Sequence, residues 1–293
     1  MKQRVLVLGA GGQLGRELVL TADPGTECIA LTRRELDIGD AEAVANRLEA
    51  LHPRVVINAA AYTAVDAAEG DAPAAQRTNA VGPANLASSC KHLGIRLLHV
   101  STDFVFDGES LQAYPTNAPT APLGEYGRSK LAGERAVLDT FAEALVMRSS
   151  WVYSRFGNNF VKTMLGLMSE REELAVVVDQ VGSPTWARGL ASALWSAAAR
   201  PQLCGIHHWS DTGECSWYDF ALAIFEEASH FGILQRPVHI RAITSSEYPT
   251  AAARPRYSVL DTTQSRQDLG LEGVQWRVQL RNMLADFKES QDE

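Results

Sequence analysis

The chain has 293 residues, 46% hydrophobic and 21% charged, enough for a large core in one elaborate domain or in a nucleotide domain with a smaller companion. A net charge of -8 argues against an unspecific nucleic-acid binder. Four scattered cysteines (Cys28, Cys90, Cys204, Cys215) suit neither a disulfide framework nor a zinc site, and no apolar run reaches the ~18 residues of a membrane span. The expectation is therefore a cytoplasmic protein with no metal, nucleic-acid or membrane partner.

Lys2 and Arg4 before Val5-Leu6-Val7-Leu8 resemble the start of a secretory leader, but the apolar run meets glycine at once and no small-residue cleavage site follows. A first strand is predicted there. Gly9, Gly12 and Gly15 then give G-x-x-G-x-x-G ahead of a helix from Arg16 to Leu20. Such glycines permit a tight turn, let a pyrophosphate approach the backbone, and point free N–H groups at phosphate. Cys28–Leu31 reads as the second strand, with Arg33 and Arg34 at its carboxyl end, where the adenosine ribose lies in such folds. Those arginines suit a 2′-phosphate, whereas Asp37 suits adenine or a ribose hydroxyl, so NADPH is expected with NADH as the alternative.

A helix is predicted over Ala41–Leu51, then a buried strand, Val55-Val56-Ile57-Asn58-Ala59-Ala60-Ala61, whose small side chains at its end let a flat cofactor lie near the sheet edge. Tyr62–Asp66 forms the loop above it. The helix predicted from Ala72 to Gly94 contains Gly82-Pro83 and is expected to be irregular. Ile95–Val100 is the fourth strand, and Ser101-Thr102-Asp103 sits at the carboxyl edge, where open parallel sheets bind ligands. A proline-rich loop then delivers Tyr126, which opens a helix to Thr140.

On that helix Tyr126 and Lys130 stand four apart, one turn from each other on one face. A fixed ammonium near a phenol favours the phenolate, so Tyr126 is expected to carry a lowered pKa and to act as a proton donor, with the Thr102 hydroxyl positioning a carbonyl opposite. Leu145–Tyr153 is predicted as one strand running on to the pocket, where Trp151 either stacks on a sugar or base or packs in the core. Asn158 and Asn159 open the next helix, as base ligands or caps. After a strand at Leu174–Val178, a helix from Trp186 to Ala199 is expected to return to the main domain. His207-His208 reads as a strand pair; helix Trp217–Phe231, strand Val238–Ile243 and helix Gln275–Lys288 complete the chain. In the basic loop Arg254-Pro255-Arg256 an arginine is placed to clamp a diphosphate.

Gly9-x-x-Gly12-x-x-Gly15, Asn58–Ala61, Ser101–Asp103 and Tyr126-x-x-x-Lys130, in this order, resemble the extended short-chain dehydrogenase/reductase family. Within it, the stretches Asn58–Asp66, Ser101–Gly108, Tyr126–Glu134, Arg148–Tyr153, Gly157–Phe160 and Asp179–Thr185 resemble the dTDP-4-dehydrorhamnose reductases over nearly the whole chain. The resemblance implies a Rossmann-like α/β fold with a doubly wound parallel sheet and a smaller C-terminal α/β substrate domain. The nucleotide domain is expected at 1–150 with a returning segment at about 186–205, and the sugar-nucleotide domain at 151–185 and 206–293.

The activity implied is hydride transfer from NAD(P)H to C4 of dTDP-4-dehydro-L-rhamnose, with Tyr126 and Lys130 catalytic and Thr102 on the keto oxygen. By resemblance Gly9, Gly11, Gly12, Gln13, Leu14, Arg33, Asp37, Ile38, Ala59, Ala60, Ala61, Thr63, Tyr126 and Lys130 contact the cofactor. Val65, Thr102, Asp103, Phe104, Tyr126, Trp151, Asn159 and Arg254 contact the sugar nucleotide, with Phe104 where relatives often carry a tyrosine. Some relatives bridge a homodimer through magnesium held by glutamates; Glu17 matches one, but Arg188 stands where another is expected, which argues against magnesium. Alternatives on the same fold are a dehydratase, disfavoured by Phe104 after Asp103, an epimerase, and a non-catalytic NADP-binding partner resembling the β subunit of methionine adenosyltransferase.

Overall fold

The structure is a computed structural model that describes residues 3–292; Met1, Lys2 of the leader comparison, and Glu293 lie outside it. Its strands are β1 (Gln3–Leu8), β2 (Thr26–Leu31), β3 (Val55–Asn58), β4 (Arg96–Thr102), β5 (Leu145–Ser149), β6 (Val152–Tyr153), β7 (Glu173–Val177), β8 (Val181–Gly182), β9 (Thr185–Trp186), β10 (Gly205–His208), β11 (Cys215–Ser216) and β12 (His239–Ile243). The α-helices are α1 (Gln13–Leu20), α2 (Ala41–Leu51), α3 (Val65–Ala68), α4 (Ala72–Gln76), α5 (Gly82–Leu93), α6 (Glu125–Thr140), α7 (Phe160–Glu170), α8 (Ala187–Ala198), α9 (Trp217–His230), α10 (Thr263–Leu269) and α11 (Trp276–Asp292).

Six strands form one parallel sheet in the order β10-β5-β4-β3-β1-β2. Val5–Leu8, Val55–Ile57 and Leu145–Met147 are buried, as strands covered on both faces must be. One face packs on Leu14 and Leu18 of α1, Leu190 and Leu194 of α8, and Leu269 of α10. The other packs on Val44 and Leu48 of α2, Leu86 of α5 and Val137 of α6. This is the doubly wound arrangement expected, and its strand order reverses between β1 and β3, placing a crevice above their carboxyl ends.

The sheet takes in chain beyond the segment expected to return at about 186–205. The returning segment runs past 205: Gly205–His208 is the sixth strand, paired with Leu145–Arg148, and α10 packs on the same core. A second core, built from Val161, Leu165, Met168, Phe220, Ile224, Leu280 and Leu284, joins α7, α9 and α11 with the parallel pair β7 and β12.

The helix predicted from Ala72 to Gly94 is indeed irregular. Its middle, Arg77–Val81, is a π-turn between α4 and α5. Pro83 has no N–H to give the turn before it, and the wider turn absorbs the mismatch. The strand predicted over Leu145–Tyr153 is interrupted instead: Trp151 adopts φ 46, in the left-handed region, and splits β5 from β6.

Candidate active site

The glycine turn is shaped for a close backbone neighbour. Gly9 has φ 77, and a Cβ there would lie 2.6 Å from the Ala60 nitrogen, while one at Gly15 would run into the Gly9 carbonyl. β1 and β3 are thereby drawn together at the reversal point, and α1 begins directly above them. A groove of about 580 Å³ opens there, lined by Gly9, Gly11 and Gly12, by Arg33, Asp37 and Ile38 below β2, and by Ala59, Ala60 and Ala61 after β3. These nine expected cofactor residues are brought together. A glycine turn at a helix start, with two arginines on the rim, fits a dinucleotide phosphate chain.

Other expected cofactor residues lie elsewhere. Leu14 is a core residue facing the sheet, and Thr63 is exposed on the loop above, outside the groove lining. Gln13 turns its amide to Asn159, whose Nδ2 donates to Gln13 Oε1 at 2.9 Å. Asn159 also donates to the Ser154 carbonyl at 2.6 Å and caps α7 by accepting from Lys162 N at 3.1 Å. Its whole amide is thus occupied within the chain, and here it serves as a helix cap.

Tyr62 connects the groove to the residues expected to be catalytic: it lines the groove and packs with Val65, Phe104 and Tyr126. The Phe104 ring meets Tyr126 edge-on at 5.6 Å. Asn79, buried in the π-turn, accepts from Tyr62 N at 2.8 Å and donates to Tyr62 O and Ser129 Oγ, both at 3.0 Å, tying this loop to α6. Asn79 and the groove residue Thr78 were not among the expected site residues; both lie in the π-turn Arg77–Val81, and the irregularity expected from Gly82-Pro83 was the signal, since π-turns gather at functional sites.

Thr102 ends β4, and its hydroxyl donates to Asp103 Oδ1 at 3.0 Å and accepts from Phe104 N at 3.3 Å. Burial pushes the Asp103 carboxyl up to about 6, against smaller downward pulls from the Ser258 and Thr102 hydroxyls. Tyr126 and Lys130 are both buried on α6. The expected acidification is not what the structure shows. Burial pushes the Tyr126 phenol up to about 12, against a smaller downward pull from Thr102, and Asp103 adds to the rise. The Lys130 ammonium donates to the Val100 carbonyl at 2.6 Å, and burial brings it down to about 8, with Glu134 opposing.

Two expected sugar contacts are differently engaged. Trp151 stacks face to face on Trp217, with ring centroids 3.4 Å apart, as a packed indole at the edge of the second core. Arg254 forms a fork with Asp66 at 3.1 and 2.6 Å, across 188 residues of chain, and that carboxyl is held below its ordinary range by the pairing. On the rim, Asp37 pairs with Arg77 at 3.0 Å and accepts from Gly39 N at 2.9 Å.

A family model described as "RmlD substrate binding domain" matches residues 3–289. The chain belongs to the dTDP-4-dehydrorhamnose reductase family. It is 42% identical to the dTDP-4-dehydrorhamnose reductase of Aggregatibacter actinomycetemcomitans over 289 residues, covering 96% of this chain and 98% of that one. It is 39% identical to the enzyme of that name from Escherichia coli K12 over 291 residues, 97% of each chain. Among solved structures, the dTDP-4-dehydrorhamnose reductase of Bacillus anthracis in complex with NADP superposes with a TM-score of 0.92 at 36% identity, covering 98% of this chain and 100% of that one.

For the magnesium that the resemblance raises, Glu17 is not a fitting donor in this structure. Glu17 is fully buried, and both its oxygens are occupied, one by the Ser154 hydroxyl at 2.7 Å and the other by Arg188 at 3.0 Å. Arg188 also reaches Asp286 at 2.9 Å. A guanidinium already supplies the positive charge at this carboxylate. No helix among the described residues is long and apolar enough to cross a membrane.

Proposed function

We propose that this chain reduces the C4 ketone of dTDP-4-dehydro-β-L-rhamnose to dTDP-β-L-rhamnose with hydride from NAD(P)H, the last step in making that sugar nucleotide. The observation that carries this reading is the adjacency of two features. The glycine groove runs through Tyr62 into the cluster that holds Tyr126, beside Thr102 and Lys130. NADPH is the cofactor the groove favours, with NADH as a second donor; once bound, it supplies the hydride and the protein supplies the proton.

Gly9, Gly11 and Gly12 would hold the pyrophosphate, Arg33 the 2′-phosphate, and Ala59–Ala61 the flat face of the ring system. Thr102 would orient the keto oxygen by hydrogen bonding, and Tyr126 would donate its proton to the alkoxide as it forms. A phenol at about 12 is suited to that task, because it stays protonated across the physiological range and an alkoxide is a stronger base than a phenolate. Lys130 would hold the nicotinamide ribose and keep a positive charge beneath the developing anion. Val65, Phe104 and Asp103 would border the sugar, and Arg254 would meet the diphosphate by leaving Asp66. The core around α7, α9 and α11 would carry the sugar-nucleotide side and the six-stranded sheet the dinucleotide. A cytoplasmic location goes with such water-soluble ligands.

The test is to mix purified protein with NADPH and dTDP-4-dehydro-L-rhamnose. Oxidation of NADPH with formation of dTDP-L-rhamnose supports the reading; tight NADPH binding without turnover would instead support a cofactor-binding partner protein.

A further inference from the structure

Helix α3 is short, yet two carboxylates three residues apart fasten it to separate parts of the site. Glu69, at its carboxyl end, accepts from Glu125 N at 2.7 Å and so caps α6 one residue before Tyr126. Asp66 holds the chain that follows Thr250. It accepts from Ala252 N at 3.0 Å and takes Arg254 in a fork, Nη1 to Oδ1 at 3.1 Å and Nη2 to Oδ2 at 2.6 Å.

That segment borders the site on two sides. A Cβ at Gly124, two residues before Tyr126, would lie 3.8 Å from the Ala252 Cβ, and one at Gly108, in the loop after Phe104, would lie 2.6 Å from the Pro255 Cα. Tyr257 N donates to the Gly108 carbonyl at 3.2 Å. Arg254 therefore stands between a point on the start of α6 and a point on the Phe104 loop. Val65, the neighbour of Asp66, packs with Tyr126 itself.

A sugar nucleotide whose ketone reaches Tyr126 brings a diphosphate to this rim, and the cations nearby are differently placed to meet it. Lys130 is on the Val100 carbonyl, Arg128 pairs with Glu125 of its own helix at 2.7 Å, and Arg148 is buried against Glu134 at 2.6 Å. Arg254 is the one whose partner is open to solvent: the Asp66 side chain is 47% exposed and the arginine 23%. A fork of guanidinium donors with a backbone N–H beside it is also the donor set that grips phosphate oxygens. An ion pair with so exposed a member is weakly held, and a diphosphate offers more charge and more acceptor oxygens than a carboxylate.

We propose that Asp66 is a built-in substitute for the substrate's diphosphate: in the free chain it holds Arg254 at the rim of the site, the diphosphate takes the guanidinium from it on binding, and the competition sets the affinity for that group. The inference rests on the reductase reading given above. Asp66 keeps the Ala252 N–H throughout, so the segment stays anchored while the guanidinium changes partner.

The experiment is calorimetric titration of dTDP into the full chain with saturating NADP+. Asp66→Asn removes the charge and keeps an acceptor for Ala252 N; it is expected to bind dTDP about threefold more tightly or better. Arg254→Gln is expected to bind it about tenfold more weakly or worse. In the double variant the Asp66 substitution brings no gain, because no guanidinium is left to release. Should Asp66→Asn fail to fold, the wild-type chain decides: the nitrogen-15 signal of the Arg254 Nε, assigned by its loss in Arg254→Gln, shifts on adding dTDP.

Unchanged or weaker dTDP binding in Asp66→Asn, an equal gain with and without Arg254, or an Arg254 signal that dTDP leaves unmoved overturns the proposal and makes Asp66 a plain anchor of the segment. Turnover of the 4-keto sugar nucleotide by wild type alongside any of these results keeps the reductase reading and drops this one. The expected gain in dTDP affinity without turnover does the reverse.

Discussion

Lys130 lies one helical turn from Tyr126, yet its ammonium donates to the Val100 carbonyl at 2.6 Å and the phenol is shifted upward by burial. On the proposed reading the tyrosine donates as a neutral phenol, and the member of the pair that titrates within the working range is the lysine, which burial brings down to about 8. The charged form exists below that pH and is lost above it. The expected outcome is a fall in kcat/KM for NADPH centred near pH 8, present in wild type and absent in Lys130→Met, whose low activity is flat across the alkaline range. A pH–rate series from 6 to about 10 checks this, and a limb that survives in Lys130→Met assigns it to another group.

Arg33 lines the groove, and among the described residues no carboxylate pairs with it, because Glu35 is turned to Thr32 and Asp37 to Arg77. That leaves its charge for a 2′-phosphate. Arg33→Ala is expected to raise KM for NADPH by about tenfold or more while changing KM for NADH little, as the loss of a charged hydrogen bond would. Equal effects on both cofactors would move the phosphate site elsewhere.

Asp211 sits buried behind the start of α8, where it accepts from Trp186 N at 2.9 Å, and burial pushes its carboxyl up to about 8. Folding therefore takes up a proton that the unfolded chain has released at about 3.9. This contribution is fully present below about pH 4 and is lost as pH rises towards 8. Asp211→Asn lacks the titration and keeps an acceptor for Trp186. Thermal melts should show the variant gaining on wild type from pH 5 to 8, by roughly 2 °C or more at the upper end. A constant difference across that range would contradict the assignment.

How much of this was legible in the sequence follows from how local each cause is. The glycine turn was readable because its glycines stand at a fixed spacing directly after the first apolar run, although the room denied to a Cβ at Gly9 is set by Ala59 and Ala60 beyond another strand. The sheet strands were readable from their apolar runs. The break at Trp151 was not, since its conformation goes with packing on Trp217 and close contact with Gly182, residues supplied by other parts of the chain. The Arg254 pairing was hidden for the same reason. Spacing correctly brought Tyr126 and Lys130 to one face of α6, but the direction of the phenol's shift depends on burial, which spacing does not report.

Arg188 holds a carboxylate that is otherwise satisfied by one hydroxyl. Removing it in Arg188→Ala strands the buried Glu17 charge and should cost about 3 kcal/mol in urea denaturation. Glu17→Gln together with Arg188→Met removes both charges and should recover most of that loss. If the double variant is as unstable as the single one, packing rather than charge accounts for the effect.

The central claim is that Tyr126 delivers the proton to a ketone lying over the dinucleotide groove. It is tested most directly by single-turnover oxidation of NADPH on mixing with dTDP-4-dehydro-L-rhamnose, in wild type and in Tyr126→Phe. The account predicts that the variant slows the chemical step by at least about a hundredfold while NADPH binds within about threefold of wild type. A rate within about threefold of wild type, with binding unchanged, would contradict it.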